Sequence, residues 1–254
     1  MTEQHHDART DEPATELVVA RSNGLDLDHL ALACRTMDEG VAHVEALTGA
    51  TPLVLPAESG QWYRSASLPL GPDCALEILA PNPDHDRFHP LGTMLRSFAE
   101  PRLLFWYLAT SDLDRFGAAV EASGSGLHRV ETIGSATGIT DDDQPIAYTR
   151  AQVGKRFTSA VPLVIEWRHR HDREGTDRRC DVTSFVASHP DADRHNQVLA
   201  AVGARARLVV GAHRLRLGLS TPNGDVTIDS AGFDATPPAM VAGLLRGWRA
   251  HRSR

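Results

Sequence analysis

The chain has 254 residues, 41% of them hydrophobic, and a formal net charge of -7 from 26 basic and 33 acidic side chains. That length suits one large domain or two small ones. The acidic balance argues against nonspecific nucleic-acid binding, and no apolar run approaches the roughly 18 residues of a membrane span. Three widely spaced cysteines, Cys34, Cys74 and Cys180, point to free, buried thiols and a cytoplasmic protein.

In chain order, residues 1–16 of the segment 1–22 are polar and mostly acidic. They lack the apolar stretch of a signal peptide and read as a disordered tail carrying His5 and His6. Next comes Leu27-Asp28-His29-Leu30-Ala31-Leu32, an apolar strand with a histidine in it. The capping-box pair Thr36 and Glu39 starts a helix that Gly49 ends. Three short β-type runs follow at 51–55, 61–70 and 74–80. The same series recurs with caps at Ser111 and Ser188 and helix-ending glycines at Gly124 and Gly203. Its strands fall at 127–133, 145–153 and 160–167, then at 205–210, 213–220 and 225–229. The chain therefore reads as β-α-β-β-β written three times.

Two insertions interrupt the series. Residues 81–100 hold a short helix around 91–98 and the group Asp84-His85-Asp86…His89, a solvated loop or a lid. Residues 168–179 form a charged loop, Asp141-Asp142-Asp143 reads as a turn, and residues 236–254 as a terminal helix. The divisions are a tail at 1–22, a pair of modules at 23–168, a third module at 180–232 and the helix at 236–254.

The βαβββ series, with Leu76-Glu77-Ile78-Leu79-Ala80-Pro81-Asn82-Pro83, Trp106-Tyr107-Leu108-Ala109-Thr110-Ser111-Asp112-Leu113-Asp114 and Pro162-Leu163-Val164-Ile165-Glu166-Trp167, resembles the glyoxalase-like branch of the vicinal oxygen chelate superfamily. The resemblance implies an α+β fold of tandem βαβββ modules. Two of them pair into an open cup-shaped sheet, and a third βαβββ-like module follows. It implies a metal held by the first and last strands of each unit: His29, Glu77 and Glu166 match three such positions. The fourth falls on Leu104 or Phe105, and residues 101–109 contain no His, Asp, Glu or Cys.

One imidazole and two carboxylates suit zinc, iron, manganese or nickel, and Glu166 is the expected proton acceptor. The residue-level alternatives stay open. A histidine on a strand is commonly a hydrogen-bonded core residue. A glutamate inside an apolar strand needs a partner, and an arginine, His29 or a metal would each serve. Two functions follow. One is a metal-dependent lyase, isomerase or dioxygenase acting on a small oxygen-bearing metabolite. The other is a metal-free, drug-sequestering protein. Trp62, Phe105, Trp106, Tyr107 and Trp167 are the expected ligand-lining aromatics in either case. The expected partner is a small molecule, without nucleic acid or membrane. The third module either packs on the first two or pairs with a second chain as a homodimer; a purely structural dimerisation module would lack the cup.

Overall fold

A computed structural model describes residues 26–55, 61–85, 87–127, 130–139, 145–153, 160–169 and 179–231. The N-terminal tail, the Asp141–Asp143 turn, most of the charged loop and the terminal helix lie outside them. The first series is β1 (Leu27–Ala33), α1 (Met37–Thr48), β2 (Leu53–Val54), β3 (Tyr63–Pro69) and β4 (Ala75–Pro81). The first insertion forms α2 (Pro90–Arg96). The second series is β5 (Arg102–Thr110), α3 (Leu113–Ala122), β6 (Val130–Ile139), β7 (Pro145–Val153) and β8 (Leu163–His169). The third is β9 (Asp181–His189), α4 (Ala192–Ala201), β10 (Leu208–Val210), β11 (Arg214–Thr221) and β12 (Gly224–Ala231).

The first two series share one eight-stranded sheet, ordered β2-β3-β4-β1-β5-β8-β7-β6. Each module's first strand runs parallel to its last, and the two first strands meet antiparallel at the centre. Side chains alternate between the faces of a strand, and here the alternation separates two cores. Leu30, Leu32, Leu76, Ile78, Trp106 and Val164 pack outward with Val44 of α1 and Phe116 and Val120 of α3. Ala31, Ala33, Leu79, Phe105, Tyr107, Leu163 and Ile165 form the inner face, with Met94 and Leu95 of α2 and the adjoining Phe98.

The sheet curls about that inner face. Tyr63 on β3 and Tyr148 on β7 pack against the same inner cluster, and Tyr63 lies within reach of the Arg150 charge on β7. Five strand spacings would hold the two strands roughly 24 Å apart if the sheet were flat.

The third series keeps the element order but not the pairing. Its sheet runs β10-β9-β11-β12, with β9 parallel to its second strand β10 and not to its last. It packs on the outer face. Phe185 meets the Trp106 ring edge-on at 5.0 Å, Arg194 of α4 donates to the Ser125 and Gly126 carbonyls beyond α3, and Asn223 donates to the Ala46 carbonyl of α1.

Candidate functional site

On β1 two polar side chains, Asp28 and His29, are buried. Against β5, Leu27 pairs with Leu108 and His29 with Tyr107, which leaves Asp28 as the extra residue of a β-bulge. Asp28 and His29 therefore reach the same neighbourhood instead of opposite faces. The Asp28 carboxylate accepts from His29 Nδ1 at 2.6 Å and from Trp167 Nε1 at 3.1 Å. His29 Nε2 lies 3.4 Å from Glu77 Oε2. Exposure rises along this line, from 0% for the Asp28 side chain through 9% for His29 to 24% for Glu77. Tyr107 stacks on the imidazole with ring centroids 4.0 Å apart.

Beyond Glu77 the surface remains polar. Arg150 Nη1 donates to the Tyr107 hydroxyl at 3.5 Å, and its guanidinium lies over the Tyr148 ring, 5.0 Å from the centroid. Burial pushes the Tyr107 phenol up to about 12, and it raises Tyr63 as well. Both are neutral hydroxyls at physiological pH. Tyr63, Tyr148 and Arg150 each keep partial exposure on this inner side. At its rim Trp62 stacks on His89 at 4.0 Å, and burial there drives His89 down to about 4. His89 is thus tied into the start of α2.

The expected site residues divide between the faces. His29 and Glu77 come together; Trp62, Phe105, Tyr107 and Trp167 lie on the inner side with them. Glu166 does not join them. It stands two residues from outward-facing Val164, and its carboxylate accepts the Leu113 N–H at the start of α3 at 2.8 Å. Its place as metal ligand and proton acceptor is corrected to a helix cap on the opposite face. Trp106 is likewise an outer-core residue, its Nε1 donating to the Ala160 carbonyl. The helix caps set Thr36 against Asp112, which puts Phe105 in the place that His29 holds in the first module.

The four-donor metal site therefore does not fit this chain. Phe105 offers no donor and Glu166 is committed elsewhere. Asp28 and Glu77 flank opposite edges of one imidazole, so no single ion reaches all three. Among the described residues no three His, Cys, Asp or Glu side chains are placed to hold a metal ion.

Asp28 and Arg150 were missed from sequence. Arg150 had a signal, since Tyr148, Arg150 and Gln152 put polar groups on one side of an interior strand. Asp28 had only its adjacency to His29.

The Glyoxalase-like domain family matches residues 27–203, more than half of the chain. The chain belongs to this glyoxalase-like family. No curated protein sequence gives a match. Among solved structures, a hypothetical protein from Staphylococcus aureus is similar with a TM-score of 0.52 at 10% identity, covering 83% of this chain and 87% of its own. Methylmalonyl-CoA epimerase from Mycobacterium tuberculosis gives 0.38 at 17% identity, over 62% of this chain and 92% of its own. A hypothetical protein from Bacillus halodurans gives 0.41 at 16% identity, over 60% and 100%. The first likeness shows a shared fold alone. No helix among the described residues is long and apolar enough to cross a membrane.

Proposed function

We propose that the inner hollow of this glyoxalase-like protein takes a small oxygen-bearing molecule and that Glu77 and His29 exchange a proton with it. The observation that carries this reading is the line Asp28, His29, Glu77, in which only the last side chain is substantially exposed. Two acceptors 3.4 Å apart repel unless a proton stands between them. A proton that Glu77 takes from a bound molecule can pass to His29 Nε2. The buried Asp28 carboxylate then faces the imidazolium through Nδ1–H and offsets its charge. The donor set supports chemistry by side chains, so no step is assigned to a metal. Its three free thiols support a reducing, cytoplasmic setting.

The test is deuterium incorporation into pyruvate and similar small carbonyl compounds in D2O, followed by NMR. The wild-type chain is expected to exceed the buffer rate. Glu77→Gln and His29→Gln are each expected to lower the excess by about a hundredfold, the usual weight of a positioned acid or base. Wild-type exchange at the buffer rate across the panel would sink the reading. The second reading, binding without chemistry, draws on Trp62, Tyr107 and Trp167 around the hollow. It predicts ligand-dependent quenching of tryptophan fluorescence with no exchange.

A further inference from the structure

We propose that Arg150 is the anion-binding residue of this hollow, so that the molecule it takes carries a carboxylate or a phosphate. This deepens the reading of the inner face as a ligand site and is independent of the proton transfer. The Arg150 guanidinium is set among the phenols of Tyr107, Tyr63 and Tyr148. Two of the three are held neutral by burial, and among the described residues no carboxylate pairs with the guanidinium. Its Nε is buried with no hydrogen-bond partner. A guanidinium partly withdrawn from water without a counter-charge is costly to keep, and a well-packed structural arginine is normally paired. Here the fork instead reaches from β7 to the Tyr107 hydroxyl, on the inner side of the sheet. Its flat array of donors matches the two oxygens of a carboxylate or phosphate. The surrounding phenol rings suit a flat body behind that anionic group.

Calorimetric titration of the full chain with benzoate, phenyl phosphate and the neutral benzamide tests this. One of the two anions is expected to bind at least about tenfold tighter than benzamide, the usual worth of one charge-assisted hydrogen bond. Whichever wins identifies carboxylate or phosphate as the natural group. Arg150→Gln is expected to abolish that preference, and Arg150→Lys to retain part of it.

Thermal melting separates this from a structural role. Removing an uncompensated charge should leave Arg150→Gln melting at or above the wild-type temperature. Equal binding of benzamide and both anions, anion binding unchanged in Arg150→Gln, no anion binding at millimolar concentration, or a lowered melting temperature of Arg150→Gln would each overturn the proposal. Exchange of pyruvate protons with no preference for anions would remove this proposal alone. Preference for anions through Arg150 with no exchange would remove only the proton transfer.

Discussion

Asp28 uses both carboxylate oxygens as acceptors at once, one for His29 Nδ1 and one for Trp167 Nε1. An indole nitrogen only donates, and Nδ1 must donate too if Asp28 is ionised, so the neutral ring keeps its lone pair on Nε2, toward Glu77. Asparagine cannot repeat this, because one of its two polar atoms must donate. Asp28→Asn is therefore expected to turn His29 to the Nε2–H tautomer or to release Trp167, at about 1–3 kcal/mol of stability. Long-range 1H–15N correlation spectra report the tautomer, and an unchanged Nδ1–H pattern in the variant would refute the role. His29 and Glu77 were legible in the sequence because a polar side chain in an apolar strand must have a partner. The partnership with Asp28 was not, because the bulge exists only in the register of β1 against a strand some eighty positions later. Glu166 failed for a related reason: a slip of one residue moves a strand side chain to the other face, and no local pattern reveals which face a strand end presents.

Glu166 has a separate task in the helix it meets. The first N–H groups of α3 have no partner within the helix, and a carboxylate at that end satisfies one and lies favourably in the helix dipole. Glu166→Ala is expected to lower stability by about 0.5–2 kcal/mol, the usual worth of a cap, and Glu166→Gln by less, since the amide oxygen still accepts. Urea denaturation measures both. A variant that keeps full stability but loses ligand binding would return Glu166 to the site. The helices themselves were readable from caps and terminal glycines, and Gly49, Gly124 and Gly203 all take the left-handed conformation expected of them. The first cap is Thr36 as read, whereas the others are Asp112 and Asp191 instead of Ser111 and Ser188. Ser188 is still strand, with its hydroxyl given to the Ala212 carbonyl. Where several capable residues adjoin, the length of the paired strand decides which one caps, and that is a tertiary fact.

The described residues form a curled sheet with a smaller sheet fastened to its outer side. The order of elements was readable for both. The strand order of the smaller sheet was not, because β-α-β-β-β admits more than one pairing and local sequence does not choose among them. Across β11 and β12, Asp229 binds Arg214 and Arg216. What the third series does contain is three histidines packed edge to face, His195 of α4 and His213 before β11 about His189 of β9 at 4.6 and 4.5 Å. His189 Nδ1 accepts the Asp191 N–H, which holds that nitrogen unprotonated. Burial, and then the neighbouring His189, bring His195 down to about 4; burial, and then His213, lower His189, against a partial offset from Asp191. Arg194, beside His195, acts in the same lowering direction. His89 on the inner side is lowered to about 4 as well. For each group the folded value lies below the unfolded one near 6.5. Between about pH 6.5 and 4 the unfolded chain therefore binds protons that the folded chain refuses, and stability falls as pH falls through that window. The carboxylates of Asp229 and Glu39, held low chiefly by hydrogen bonds from Arg214 and Arg35, lose their contribution only at more acidic pH. Melting temperature is thus expected to be level above about pH 7 and to drop on going to pH 5, with a shallower drop in His195→Gln. A melting temperature that holds or rises at pH 5 would mean that these rings accept protons in place and that the small sheet is looser than its packing indicates.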